Sequence, residues 1–164
     1  MSFTLRAATL ADAPTIAELH VTTWRETYRE LLPEYFFTDA HLQSRHDLWN
    51  HILGNPRDEW CVRVAESDGR IIGFAFAGPV FDPEAREVPR ELQVYNLYVT
   101  AIHHGTGAGQ ALLDAVIGAR PAMLWVAKDS PRAVAFYRRN GFEFDGTEQR
   151  DATAPTIIDT RMVR

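Results

Sequence analysis

Cys61 is the only cysteine in the chain, so an intrachain disulfide and a thiolate metal cluster are both excluded. It stands in the apolar stretch Trp60-Cys61-Val62, where a small packed hydrophobe is the expected role. Positive charge is not in excess either. Lys+Arg total 17, with Lys128 the one lysine, against 22 Asp+Glu, for a net charge of −5. That balance argues against a nucleic-acid partner, which asks for a basic patch, and mildly favours a cationic one. No stretch approaches the ~18 apolar residues of a membrane span, and the longest apolar run, IIGFAFAG, is strand-sized. The N-terminal MSFTLRAATLADAP lacks the continuous apolar region of a secretory signal, so no membrane association and a cytoplasmic location are expected. Of the histidines, His41, His46 and His51 recur every five residues, which does not hold one helix face, so packing or solvated roles are expected and no metal. Internal repeats, low-complexity tracts and dividing linkers are lacking too, so residues 1–164 are expected to form one domain.

What is present is an apolar fraction of 46% and a charged fraction of 24%, ordinary for a globular domain. Residues 3–8 read as a first strand. Thr9 to Asp12 has capping-box spacing and opens a helix carrying Ile16, Leu19, His20 and Trp24 on one side, broken at Leu32-Pro33. A second helix is expected over 40–52. WCVRVAE and IIGFAFA flank a turn containing Asp68-Gly69, the signature of a β-hairpin. After the charged loop FDPEAREVPREL come the strand QVYNLYVT, the turn HHGTGAG, the helix QALLDAVIGA and the buried strand PAMLWVA. Ser130-Pro131 opens a further helix, with serine at the N-cap and proline at its first position, ending at Gly141. FEF and TIIDTRMVR close the chain as strands. The order β-α-α-β-β-β-α-β-α-β-β predicts an α/β fold: a mixed central sheet with helices on both faces.

The turn carries the chemistry. Gly105, Gly107 and Gly109 lie between a strand and a helix, where backbone can approach a ligand closely and free N–H groups at the helix start favour a phosphate or pyrophosphate. A connection without a ligand is the bland alternative. A Walker loop is excluded because Gln110-Ala111 follows Gly109 where Lys-Ser/Thr is required. A dinucleotide fingerprint needs G-x-G-x-x-G, but its third glycine would fall on Gln110 or Leu112; Asp129, about 20 residues on, is its one favourable feature.

His104-Gly105-Thr106-Gly107-Ala108-Gly109 resembles instead the Gln/Arg-x-x-Gly-x-Gly/Ala loop of the GNAT family of acetyl-CoA-dependent N-acetyltransferases, with His104 in place of Gln/Arg. Downstream, Ser130, Ala133, Phe136, Tyr137, Gly141 and Phe142 match the family's Asn-x-x-Ala-x-x-Phe-Tyr-x-x-x-Gly-Phe block, with Ser130 in place of Asn. The resemblance implies the GNAT-like acyl-CoA N-acyltransferase fold and acetyl-CoA as cosubstrate. It implies that the pyrophosphate rests on the amides from Gly105 to Gly109, with Thr106, Ala108 and Gln110 in the same cradle and His104 able to reach a phosphate. The pantetheine arm would run as an extra strand beside Leu97, Tyr98 and Val99, the Leu97 N–H polarising the thioester carbonyl. Ser130 would lie near the pantetheine, although a helix N-cap alone explains it. Tyr137 corresponds to the tyrosine that protonates the leaving thiolate, a task suited to a phenol with an ordinary pKa of about 10; its alternative is a core aromatic.

The general base departs from the family. Many members carry a glutamate eleven residues before the Gln/Arg of the loop, and here that position is Gln93, whose amide is no useful proton acceptor. Gln93 is left to orient the acceptor or a water. Glu91 would share its strand face and act through water, or stand as a strand-end carboxylate in solvent. Acceptor specificity in the family comes largely from the first two helices and their connection, here HVTTWRETYRELLPEYFF. Trp24, Tyr28 and Tyr35 are candidates for the wall of an acceptor pocket, with Glu26, Glu30 or Glu34 drawing in an amine; Trp24 and Tyr28, spaced i, i+4, could equally pack one helix face. The expected function is transfer of acetyl from acetyl-CoA to a primary amine of a small molecule or peptide by direct attack in a ternary complex. The alternative is a non-catalytic CoA-binding or sensor module of the same fold. Homodimers are common in the family, so the resemblance leans toward a homodimer here.

Overall fold

The apolar runs on either side of Asp68-Gly69 build the first half of the sheet, as seen in a computed structural model describing residues 2–84 and 86–164. Asp68 and Gly69 both take positive φ (51° and 73°), the twist that a two-residue hairpin needs, and they join β2 (Cys61–Ser67) to β3 (Arg70–Pro79). β1 (Thr4–Ala7) pairs antiparallel with β2, and β4 (Leu92–Val99) with β3. β5 (Met123–Ala127) continues the sheet parallel to β4, followed by β7 (Ile158–Val163) and, at the far edge, β6 (Glu143–Arg150). Among the described residues the sheet has seven strands in the order β1-β2-β3-β4-β5-β7-β6. The expected mixed sheet and its element order are both observed.

Two helices cover one face. The Asp12 carboxylate accepts the Thr9 N–H at 2.8 Å and is gripped by Arg6 at 2.8 and 2.9 Å, fixing where α1 (Ala13–Tyr28) begins. Thr38 caps α2 (Asp39–Gly54), which starts one residue earlier and runs two residues further than expected, because Leu53 still packs inward. Ile16, Ala17, Trp49 and Ile52 from these helices meet Val62, Val64, Phe74 and Phe76 from the sheet. The opposite face is covered by α3 (Ala108–Ile117) and α4 (Pro131–Arg139), with Leu112, Leu113, Val116 and Phe142 at 1% exposure or less. Cys61 is half-buried, its Sγ 3.8 Å from the Ala115 carbonyl, in keeping with a packing role. His41 is buried against Tyr35 and Phe36. Among the described residues no group of His, Cys, Asp or Glu is arranged to hold a metal, and no helix is long and apolar enough to cross a membrane.

β4 and β5 do not run together to their ends. They pair at Gln93–Met123 and Val94–Leu124 and then separate. The cause lies in β4 itself: its register with β3 slips between Phe76–Asn96 and Ala77–Val94, leaving Tyr95 as an extra residue. A bulge of this kind bends its strand and sharpens the local twist, which carries the C-terminal half of β4 away from β5.

Candidate functional site

The separation leaves main-chain groups facing an open lane. The Thr100 N–H donates to the Ile72 carbonyl at 2.9 Å, so by the alternation of an antiparallel ladder Tyr98 and Asn96 direct their main-chain groups toward β3. Leu97 and Val99 direct theirs the other way, into the lane between β4 and β5. An extended chain laid there can take the place of a strand, with N–H and C=O of one strand edge to bond to.

At the mouth of the lane the glycine turn takes the form that its residues demand. Gly105 and Gly107 have φ of 79° and 90°, and a Cβ on either would meet nothing within 4 Å. They are therefore needed for conformation and for an open approach, whereas Gly109 lies within α3 with an ordinary backbone. The first bond of α3 runs from the Ala111 N–H to the Gly107 carbonyl at 3.0 Å. Among the described residues the amides of Gly105, Gly107, Gly109 and Gln110 are without a main-chain acceptor, and that of Ala108 reaches only the Thr106 hydroxyl, at 3.4 Å. Converging N–H groups at the start of a helix form an anion cradle. Gln110 contributes its amide only, since its side chain donates to Asp114 and Asn140 and ties α3 to the end of α4. The His104 ring folds back so that Nε2 lies 2.9 Å from the Val99 carbonyl. A carbonyl only accepts, so Nε2 carries a proton there, and Nδ1 is the ring nitrogen left to face a phosphate.

Aromatic side chains close the lane on both sides of the sheet. On the α3–α4 side, Tyr137 is buried, edge-on to Phe136 and Phe142 with ring centroids at 5.3 and 5.8 Å. Burial pushes its phenol well above the usual range, so it is fully protonated at neutral pH. On the α1–α2 side, the Trp24 indole donates to the Tyr98 hydroxyl at 2.7 Å, and burial pushes the Tyr98 phenol up to about 12. Tyr98 stacks on His20, whose Nδ1 accepts from the Trp49 indole at 3.2 Å and whose pKa burial lowers to about 3, leaving a neutral ring. Tyr28 packs on Trp24 with ring centroids 5.1 Å apart, and its phenol is raised by burial and eased by a hydrogen bond with Ser130. Ser130 does stand at the N-cap of α4, but its side chain makes no capping bond.

Trp24, Tyr28, Tyr98, Ser130 and Tyr137 thus gather around the separation of β4 and β5. Tyr35 does not join them: it is 49% exposed and lies edge-on to Phe36 and His41. Glu26, Glu30 and Glu34 are exposed. Gln93 is buried and lines a cavity of about 530 Å³ with Met123, Trp125 and Arg161, roofed by the loop that begins at Val80. Glu91 is exposed just ahead of β4, six residues before Leu97 and so roughly 20 Å from it along an extended strand.

Asp159 is a residue that sequence reasoning missed. It lies on β7 opposite Ala127 of β5 and Gln149 of β6, and directly opposed residues share a face. Ala127 packs with Leu32, Phe36, Trp24 and Tyr28, so the Asp159 carboxyl is on the α1 side. Burial, with a smaller push from Asp151, raises its pKa to about 6. The signal available in TIIDTRMV was an acidic residue at an interior position of a strand.

The family model described as "Acetyltransferase (GNAT) family" matches residues 24–142. A probable N-acetyltransferase of Mycobacterium tuberculosis is 28% identical over 148 residues, 87% of this chain and 80% of that protein. An uncharacterised N-acetyltransferase of the same species is 30% identical over 165 aligned positions, covering 97% and 90%. Among solved structures, the PaiA N-acetyltransferase of Thermoplasma acidophilum in complex with coenzyme A has a TM-score of 0.71 at 20% identity, over 100% of this chain and 99% of that one. The histone acetyltransferase HPA2 and related acetyltransferase from Corynebacterium glutamicum has a TM-score of 0.71 at 26% identity, over 99% and 96%.

Proposed function

The chain belongs to the GNAT family of acetyltransferases, and from that premise we propose that it moves an acetyl group to a primary amine of a small molecule or peptide by direct attack within a ternary complex. Acetyl-CoA dependence comes with the family. The single observation that carries the fit is the lane between β4 and β5, edged by Leu97 and Val99 and opening onto free amides at the start of α3. Bound there, acetyl-CoA supplies a thioester whose acyl carbon is open to an amine.

The roles of the chain's own residues follow from where they sit. The Gly105–Gly109 turn and the Gln110 amide hold the diphosphate through main-chain donors and the helix dipole, so a net charge of −5 is no obstacle to a polyanion. The N–H and C=O of Leu97 and Val99 align the pantetheine, and the Leu97 N–H stabilises negative charge developing on the carbonyl oxygen. Tyr137, kept protonated by burial, gives its proton to the departing sulfur. Trp24, Tyr28 and Tyr98 wall the acceptor side, and Gln93, an amide in the adjoining cavity, orients the acceptor rather than deprotonating it. A ligand that binds only the folded state raises its melting temperature, so acetyl-CoA at saturation should do so, with thiol release on adding primary amines. Absence of any melting shift would refute the reading. Binding without thiol release across a broad amine panel would favour the second reading, a CoA-binding module, for which the observation is the amide of Gln93 at the family's carboxylate position.

A further inference from the structure

We propose that Asp159 is the group that receives the acceptor's ammonium and takes its proton, the task that Gln93 cannot perform; this rests on the acetyltransferase reading above. Val94 of β4 is level with Leu124 of β5, and the strands run parallel, so Leu97 is level, to within the one-residue bulge, with the last residues of β5. Ala127 is the last, and Asp159 is its direct partner on β7. The carboxyl therefore stands one strand beyond β5, on the far side of the lane, at about the height of the main-chain donor that holds the reacting carbonyl. Its side of the sheet is that of Trp24 and Tyr28, from which the acceptor enters.

The surroundings leave this carboxyl free to meet a cation. Among the described residues it has no ion pair and no side-chain hydrogen bond, although it is half-buried. α1 presents the Tyr28 phenol, β4 the Tyr98 phenol, and the β6–β7 connection the Asp151 carboxylate. β6 presents the uncharged Gln149. Arg161, two residues on, is held by Asp145 at 2.6 Å and by Thr147 at 3.1 Å. Arg150 donates to the Pro155 carbonyl, and Lys128 at the end of β5 is paired with Glu148 at 2.8 Å. A half-buried anion without a fixed counter-ion, beside two phenols and another carboxylate, is a site for a transient cation. A primary alkylammonium fits it in charge and in hydrogen-bonding capacity.

The proton traffic balances. The ammonium gives one proton to the Asp159 carboxylate, and the freed electron pair forms the bond from nitrogen to the acyl carbon as the carbon–sulfur bond breaks. The sulfur takes a proton from Tyr137. The second nitrogen proton restores that phenol, and Asp159 releases its own to solvent. The net yield is an amide, a thiol and one free proton, with no oxidant or reductant required. A carboxyl that titrates near neutrality suits the exchange, because it can bind the proton and lose it again within a turnover.

The test pairs a direct readout with a kinetic one. In the coenzyme A complex of the wild-type protein, carbon NMR should show an aspartate carboxyl with a midpoint near 6 that is absent in Asp159→Asn. Adding n-butylammonium should move that midpoint down, since a nearby cation favours the ionised form. With n-butylamine as acceptor, thiol release by Asp159→Asn should fall about 100-fold in kcat/KM, and the decline of the wild-type rate below about pH 6 should vanish. A carboxyl signal indifferent to butylammonium, or unaltered thiol release in Asp159→Asn, overturns the assignment. The melting shift with acetyl-CoA keeps the two readings apart: if it is normal in both proteins, only the role of Asp159 fails.

Discussion

Replacing Asp159 by asparagine should stabilise the fold, and only above about pH 4. The carboxyl titrates near 3.8 when exposed and at about 6 in the folded protein, because burial disfavours its charge. Below pH 4 it is protonated in both the folded and the unfolded chain, and ionisation contributes nothing. Between about pH 4 and 6 the unfolded chain loses the proton while the folded one keeps it, so stability declines as pH rises. Above 6 the full penalty is present. Two pKa units correspond to a ceiling of about 3 kcal/mol, and solvent reaching a half-buried carboxylate reduces this to about 1 kcal/mol. In a chain of this size that is a rise of roughly 2–4 °C in Tm for Asp159→Asn at pH 8. The assay is thermal unfolding of both proteins by circular dichroism at intervals from pH 4 to 8. Asp12, held down to about 2 chiefly by its hydrogen bonds with Arg6, and the neutral His20 titrate alike in both proteins and cancel in the difference. A difference that is the same at pH 4 and pH 8, or a less stable variant at pH 8, would refute the reasoning. A variant that gains stability while losing turnover is the pattern expected of a residue kept for function.

Other outcomes follow from the same geometry. Tyr137→Phe should lower kcat, by about 100-fold if the phenol is the only acid, with the acetyl-CoA melting shift retained; unchanged turnover would remove Tyr137 from that role. Gly107→Ala and Gly73→Ala should separate binding from folding. At Gly107 a Cβ meets nothing, so its left-handed backbone costs only about 1–2 kcal/mol, while most of the acetyl-CoA melting shift should disappear. At Gly73 a Cβ would come within 2.7 Å of the Tyr98 carbonyl and 3.0 Å of Val99, forcing β3 from β4 at a cost of about 1–3 kcal/mol or more. The two Tm values of the ligand-free variants, read beside their acetyl-CoA shifts, check both statements.

The secondary structure was legible because its signals are local. Asp68-Gly69 can hardly avoid a tight hairpin, Pro131 suits the first turn of a helix, and Gly105 and Gly107 announce a positive-φ turn at a strand–helix junction. Half of the site was legible for the same reason: an anion cradle made of consecutive amides is written in consecutive residues. Ser130 illustrates the limit. Its place at an N-cap is a local matter, but its nearness to the Tyr28 phenol on another helix is not. Tyr35 illustrates it again, since the turn after α1 swings its ring outward while Trp24 and Tyr28 stay on the site.

By itself, then, the sequence determined the element order, the mixed sheet, the glycine cradle and the family, all of which follow from patterns spanning a few tens of residues. Only the tertiary structure decided which side chains face the open lane and with what charge. The bulge at Tyr95 sets the separation of β4 from β5, and strand pairing carries Asp159 to the height of Leu97, 62 residues earlier in the chain. Burial and neighbouring charge, which exist only once distant segments meet, then set how strongly Tyr137 holds its proton and how weakly Asp159 gives up its own.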